Sequence, residues 1–434
     1  MLPSLLLLAA LVHTQTTPPP PQTGRVSLDG QLSQGSLEAT KTPTECLAAV
    51  RSRVAKAQRD AAAAPPSISA VSGIVGAQKG LAAQCTARFD LATAAPADLA
   101  SLVELYNMAG QYDRLQAAVT RALTAPNLAG RDRATVLLAA VQAGLADPPG
   151  AERDARLEGF VAQLDRLPAA SAINQQFTAH QRMRVSYDTD GQPDGAAKHA
   201  TWSIEAAKRI SGTQRSDNKS PIVGAYLNLA RIWASRGETT RAIALLKRVS
   251  TDLPEIPTAV KSVKGDLERL QLVGKPAAPL AASRWLNVPT GTKTLDLKGQ
   301  VTLLEFSAHW CIPCKETYPA LVRLRDKYGP AGFRVVLATE MYGFYEKETN
   351  ITGDAEFARD REYFAATHLN APVAVADGVH SPDENPNQVN YKVDGLPQIV
   401  LVDRRGVIRL MMGGYDKSSE ATLTRQIDAL VKEK

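Results

Sequence analysis

The sequence predicts a multidomain chain: an all-α, irregular helical region over residues 42–272, then an α/β domain over 274–434. Three observations carry that expectation. A length of 434 residues is too great for one ordinary core. Ala- and Leu-rich stretches with helical apolar spacing, broken by Pro, Gly and Asp, run from Thr42 to about residue 272 without a convincing strand. After Gly274, short β-rich runs alternate with helices, and one strand-to-helix turn holds Cys311-Ile312-Pro313-Cys314.

Composition narrows the function classes. Hydrophobic residues make up 44% and charged residues 22%, the balance of a soluble globular protein. No apolar stretch approaches the roughly 20 residues that a mature membrane span needs. The net charge of +6 is diluted over the helical region, since residues from Lys275 onward hold 20 Lys and Arg against 20 Asp and Glu. With no basic run interleaved with aromatics, the excess reads as solvated helix faces, and no nucleic-acid partner is expected.

At the N-terminus, Leu5 to Val12 is a short apolar core followed by a Thr/Gln/Pro stretch, with no charge before Arg25. Residues 1–14 therefore read as a signal peptide and 15–41 as a disordered linker. Export implies a periplasmic or secreted protein in an oxidising compartment, where unpaired thiols are disfavoured.

Order is expected to begin at Thr42. Thr42 can cap a helix, Pro43 takes its first position, and Glu45 completes a capping box. That helix must stop before Pro65-Pro66, and a second follows to about Phe89. Cys46 lies 19 residues before Pro65 and Cys85 lies 19 residues after Pro66. Folded back about that turn, the two cysteines come level and form a structural disulfide, with Gly73, Gly76 and Gly80 letting the helices approach. The alternative is two buried free thiols.

One later segment resembles a tetratricopeptide repeat: Ala230, Trp233, Gly237, Ala242, Leu246, Val249 and Pro254 sit at that repeat's packing offsets. A weaker copy runs through Val103, Tyr106, Gly110, Tyr112, Leu115, Val119 and Ala122. The two glycines are 127 residues apart, which whole periods of about 34 residues do not match. The expectation is a solenoid of irregular helical hairpins, against an ordinary bundle with chance matches.

In the C-terminal part, Gly274 to Pro279 reads as a stiff, extended connector. Strands are expected at 301–306, 333–339, 373–376, 399–403 and 407–411, and helices at 312–328, 354–368 and 419–432. The two cysteines of the turn are a redox device. The first thiol sits at a helix N-terminus, where unpaired N–H groups and the macrodipole stabilise a thiolate. The second lies one turn on, within disulfide reach. Cys311 would attack a partner's disulfide and Cys314 would resolve the mixed disulfide. A zinc site would need two further ligands at suitable spacing, and none is near, so neither metal nor cofactor is expected.

Residues 274–434 resemble the TlpA/ResA-type exported thiol–disulfide oxidoreductases of the thioredoxin superfamily. The likeness rests on Leu297-Lys298-Gly299, the run Leu304-Glu305-Phe306-Ser307-Ala308-His309-Trp310 before the cysteines, then Lys315, Pro319 and Gly395-Leu396-Pro397. Ser307 departs from it, standing where an aromatic residue is usual and loosening the packing behind the site.

The resemblance implies a thioredoxin fold with one extra α-β element and gives several residues roles. Glu305 takes the place of the buried acid that receives a proton from Cys314. Pro397 matches the cis-proline beside which a substrate strand docks. Trp310, Leu396 and Pro313 become substrate contacts. His309 should point away from the site to the surface, while Tyr342, Phe344 and Tyr345 either line a groove or merely pack the insert. Expected partners are protein disulfide substrates, an upstream thiol electron donor and a protein on the helical region. The leading function is a protein-disulfide reductase. An oxidase or isomerase, or an adaptor with a docking domain, is the alternative.

Overall fold

The computed structural model describes residues 37–62, 68–210, 219–381, 383–415 and 417–433. The expected signal peptide and most of the expected linker lie outside the described residues. Among the described residues, those of 37–186 together with 198–210 and 219 form one compact unit, and those of 187–197 and from 220 onward form the other.

In the first unit, α1 (Pro43–Ala62) begins at the expected cap. The Glu45 N–H donates to Thr42 Oγ1 at 3.1 Å, and the Glu45 carboxylate takes the Lys41 N–H at 2.6 Å, one residue earlier than a capping box would. Residues 37–41 are held in place, unlike a free linker. Leu37 is buried with Cys46, and the Arg88 guanidinium donates to Thr40 Oγ1 at 2.9 Å and to the Glu38 carbonyl at 3.1 Å.

Helix α2 (Ile68–Arg88) follows, and Cys46 and Cys85 are joined in a disulfide with Cα atoms 6.0 Å apart. Gly76 and Gly80 do not explain the approach, since a Cβ on either would meet nothing within 4 Å. The helices meet through Leu47, Val50, Leu81 and Ala82.

The unit continues through α3 (Leu99–Ala109), α4 (Tyr112–Thr124), α5 (Gly130–Gly144) and α6 (Ala151–Asp165), then most of α7 (Ala169–Thr189) and of α8 (Pro193–Arg209), whose stretch 187–197 groups with the second unit. Gly110 ends α3 with φ +68, a left-handed conformation that suits glycine at a helix C-terminus.

Between α6, α7 and α8 lies a buried polar chain. His180 and His199 face each other Nδ1 to Nδ1 at 2.9 Å. His180 Nε2 lies 3.2 Å from Asp165, and His199 Nε2 lies 3.1 Å from Glu158, which also takes Lys198 at 2.9 Å. Trp202 stacks on His180 with ring centres 3.7 Å apart. Burial pushes His180 below its ordinary pKa. The bond from His199 holds Glu158 down to about 2.

The second unit starts with four helices, α9 (Lys219–Ser235), α10 (Thr239–Lys247), α11 (Val249–Asp252) and α12 (Pro257–Leu270). A mixed sheet follows. Its strands are β2 (Arg284–Leu286), β4 (Val301–Phe306), β5 (Phe333–Glu340), β8 (Val373–Ala376), β9 (Gln398–Val402) and β10 (Ile408–Gly413), after a small pair β1 (Leu280–Ala281) and β3 (Thr294–Leu295). The order is β10-β9-β4-β5-β8-β2, with β4, β5 and β8 parallel and the rest antiparallel. Helix α13 (Ile312–Tyr328) joins β4 to β5. The insert carries β6 (Phe344–Tyr345), β7 (Glu348–Thr349) and α14 (Gly353–Ala366). The short α15 (Pro386–Tyr391) precedes β9, and α16 (Lys417–Lys432) closes the fold.

The connector before this sheet is paired backbone as well as a spacer. Gly274 N–H donates to the Ile408 carbonyl at 2.8 Å, Ile408 N–H to Lys275 at 2.9 Å, and Ala277 N–H to Gly406 at 2.8 Å. Its prolines lack donors, so pairing falls on the residues around them.

Alternation along β4 decides where the functional carboxyl goes. Leu304 and Phe306 share one face with Val336, Val400 and Tyr391. Val301 and Leu303 share the other with Tyr318 and Leu321 of α13 and Leu423 and Ile427 of α16. Glu305 is in register with Val301 and Leu303, so it points beneath the helix that bears the cysteines.

Candidate functional site

Cys311 is the N-cap of α13. It bonds to Cys314 with Cα atoms 5.3 Å apart, and the Cys314 N–H donates to Cys311 Sγ at 3.2 Å. An orphan helix N–H thus lies on the sulfur that would carry charge in the reduced form. Both cysteines are buried, while Ile312 between them is 70% exposed and Pro313 half-buried.

The Leu396–Pro397 peptide is cis, and Leu396 packs on the cysteine pair together with Trp310 and Tyr342. Gly414 N–H donates to the Pro397 carbonyl at 2.8 Å, tying that loop to the end of β10.

Glu305 has no exposed surface, and burial raises its carboxyl to about 8 against hydrogen bonds from Thr317 and Ser307. Thr317 Oγ1 lies 2.8 Å from Glu305 Oε2 and 2.7 Å from the Cys314 carbonyl. One hydroxyl hydrogen cannot serve two acceptors. The Thr317 hydroxyl therefore divides its donation between the Glu305 carboxyl and the Cys314 carbonyl and leaves the burial of Glu305 poorly compensated. The arrangement fits a neutral acid beneath the disulfide.

Ser307 does not leave a gap. It is buried, with its hydroxyl 2.6 Å from the Tyr318 hydroxyl, to which Tyr363 donates at 3.4 Å. Ser307, Tyr318 and Tyr363 form a hydrogen-bonded line of hydroxyls.

His309 was expected at the surface and is instead 5% exposed. Its ring stacks on Tyr345 at 4.6 Å and meets Phe344 and Tyr342 edge-on. Alternation fails because β4 ends at Phe306, and the insert folds over the turn that follows. Glu356 of α14 completes this wall, accepting the Tyr342 and Gly343 N–H groups at 2.7 and 2.8 Å. Burial works to raise Glu356, but His309 and those two N–H groups hold it below the usual range. One turn on, Asp360 has no hydrogen-bond partner among the described residues, and burial lifts it to about 7. Tyr342 stands edge-on to Trp310 at 5.3 Å, so the aromatic cluster packs the insert and also touches the residue beside Cys311.

The sequence reading missed Thr317, Tyr318, Tyr363 and Glu356. Thr317 carried a signal: it shares the inward face of α13 with Leu321 and Leu324, where a hydroxyl needs a partner. Among the described residues no group of three or more His, Cys, Asp or Glu could hold a metal ion.

No family model matches the chain. The protein DipZ of Mycobacterium tuberculosis is 30% identical over 148 residues, 33% of this chain and 19% of that protein. The thiol:disulfide interchange protein DsbE of Pseudomonas fluorescens is 28% identical over 144 residues, 32% of this chain and 65% of that protein. The chain therefore spans less than two thirds of these relatives. A solved thiol-disulfide isomerase from Corynebacterium glutamicum aligns at 22% identity over 37% of this chain and 97% of its own, with a TM-score of 0.29. With a Cys pair at the head of α13 in a β-α-β, β-β-α frame, the C-terminal part of the chain is similar to thioredoxin-like thiol:disulfide interchange proteins.

Proposed function

We propose that the protein is exported and reduces disulfides of envelope proteins through Cys311 and Cys314. The observation that carries this reading is the wholly buried Glu305 directly beneath the exchangeable pair, bonded through Thr317 to the backbone of Cys314.

In the reduced form, Cys311 thiolate attacks a substrate disulfide. The substrate S–S bond breaks, a bond to Cys311 forms, and one substrate sulfur leaves and takes a proton from water. Cys314 then attacks Cys311 Sγ as its proton passes to Glu305. The Cys311–Cys314 bond forms, the second substrate sulfur leaves, and two electrons have moved to the substrate. Leu396, Pro397, Trp310 and Pro313 border the place where the substrate strand would lie. An upstream thiol donor must restore the dithiol, which returns the proton to Cys314. The tetratricopeptide-like helices would hold a protein partner.

Export is supported by the apolar Leu5–Val12 run, and no helix among the described residues is long and apolar enough to cross a membrane. The reductive direction rests on Ile312-Pro313, which puts no His between the cysteines to favour the thiolate further. Equilibration with glutathione buffers tests it. The expected potential lies nearer about −270 mV than about −120 mV. A value above about −150 mV would assign the protein to disulfide formation instead.

A further inference from the structure

The loop that carries Pro397 is held from outside the thioredoxin-like fold. Arg269, on α12, is 5% exposed and bonds to the carboxylate of Asp394, three residues before Pro397; its Nη1 also lies 3.5 Å from the Lys392 carbonyl. Behind it, Asp266 bridges Arg269 at 3.3 Å and Arg231 of α9 at 3.2 Å. The result is a ladder of alternating charge, Arg231–Asp266–Arg269–Asp394, running from α9 through α12 to the loop. Opposite charges on either side keep Asp266 ionised despite its burial.

Two further details show that the approach is built. A Cβ on Gly265 would run into the Asp394 carboxylate, so the glycine leaves room for that side chain against α12. Lys392 has φ +53 and ends α15, turning the chain so that Asp394 faces α12. A buried guanidinium stripped of its carboxylate is strongly disfavoured, which makes this contact exacting in geometry.

We propose that Arg269 is a positioning residue for substrate docking: helix α12 fixes loop 392–397 and so sets the edge on which a protein disulfide is received. This deepens the reading of the Pro397 loop given above and rests on it. The helices of 219–270 are then a working part of the reductase, and a partner bound to them can alter docking through the ladder.

The test uses the full chain, with dithiothreitol as donor and insulin as the protein disulfide; 5,5′-dithiobis(2-nitrobenzoate) serves as a small disulfide that needs no docking edge. Arg269→Gln should raise KM for insulin about tenfold, with kcat and the small-disulfide rate within twofold. Arg269→Lys should recover part of the loss. Gly265→Ala should act in the same direction, and adding Asp394→Asn to Arg269→Gln should cost nothing further, because the two share one interaction. Hydrogen exchange at 392–397 should quicken in Arg269→Gln whatever the protein's substrate. Unchanged exchange there would overturn the proposal, as would an equal loss on both disulfides. Quickened exchange with no insulin reduction even by the native chain would leave the tether standing and remove the docking role.

Discussion

The two disulfides sit in contrasting surroundings. Cys46–Cys85 spans 39 residues and lies in an apolar cluster with Leu47, Val50, Leu81 and Ala82. Cys311–Cys314 spans 3 residues and has a buried carboxyl, a hydroxyl and a helix N-terminus against it. The first packs in an apolar core and closes a long loop; the second closes almost nothing and is linked through Thr317 to a buried carboxyl. The chemistry around a cystine separates a cross-link from a reagent better than the bond itself does.

The largest effect that would break this contrast concerns the cysteines of the short loop. Cys311→Ser should abolish turnover, and Cys314→Ala should accumulate covalent complexes with substrate, seen on non-reducing gels. Trapping by Cys311→Ala instead would reverse the two roles.

Removing Cys46 and Cys85 together should cost about 4 kcal/mol of stability in the loop-entropy account, and leave insulin reduction per folded molecule intact. Denaturant unfolding followed by helical circular dichroism measures the first. An unaltered midpoint would deny the bond its structural role.

Glu305→Gln should slow resolution on the order of 100-fold while the disulfide still forms. It should also change the pH response. The native carboxyl titrates at about 8 against 4.5 when unperturbed, so the fold favours the protonated form. Between those values the native state binds the extra proton, and stability falls as pH rises through the window. The oxidised Gln variant should lack that decline and melt higher than the native chain at pH 8; a lower melting point would break the assignment.

The helical unit should show the opposite slope, and a smaller one. Burial depresses His180 below 6.5, so the unfolded chain takes up a proton near 6.5 that the native chain refuses. Stability should fall as pH drops below that value, by at most about 1.4 kcal/mol per pH unit. Melts of the native chain and His180→Gln between pH 5 and 7 sharpen the comparison, and parallel curves would sink it.

Sequence made the C-terminal fold legible because its signals are local: short β-rich runs alternating with helices and a Cys pair at a strand-to-helix turn. Helix α13 occupies 312–328 as expected from its periodicity. Glu305 was legible as an acid in an apolar run. Its partners were not, because Thr317 and Ser307 become a proton-handling pair only through the packing of α13 on β4. His309 misled because strand alternation was carried past the strand's end. Arg269 and Asp394 are 125 residues apart, and nothing local in either one announces the other.

The connector also has a consequence for assembly. β10 stands at the edge of the sheet, where backbone N–H and C=O groups can accept an extended chain, and the connector pairs with its first residue, Ile408. A protein proposed to work on chains with misplaced or open disulfides meets many such strands. Residues 274–277 occupy part of that row with the molecule's own backbone. A fragment cut at Val273 would retain them on a freed end, able to fray, and its β10 margin would become a site for self-association.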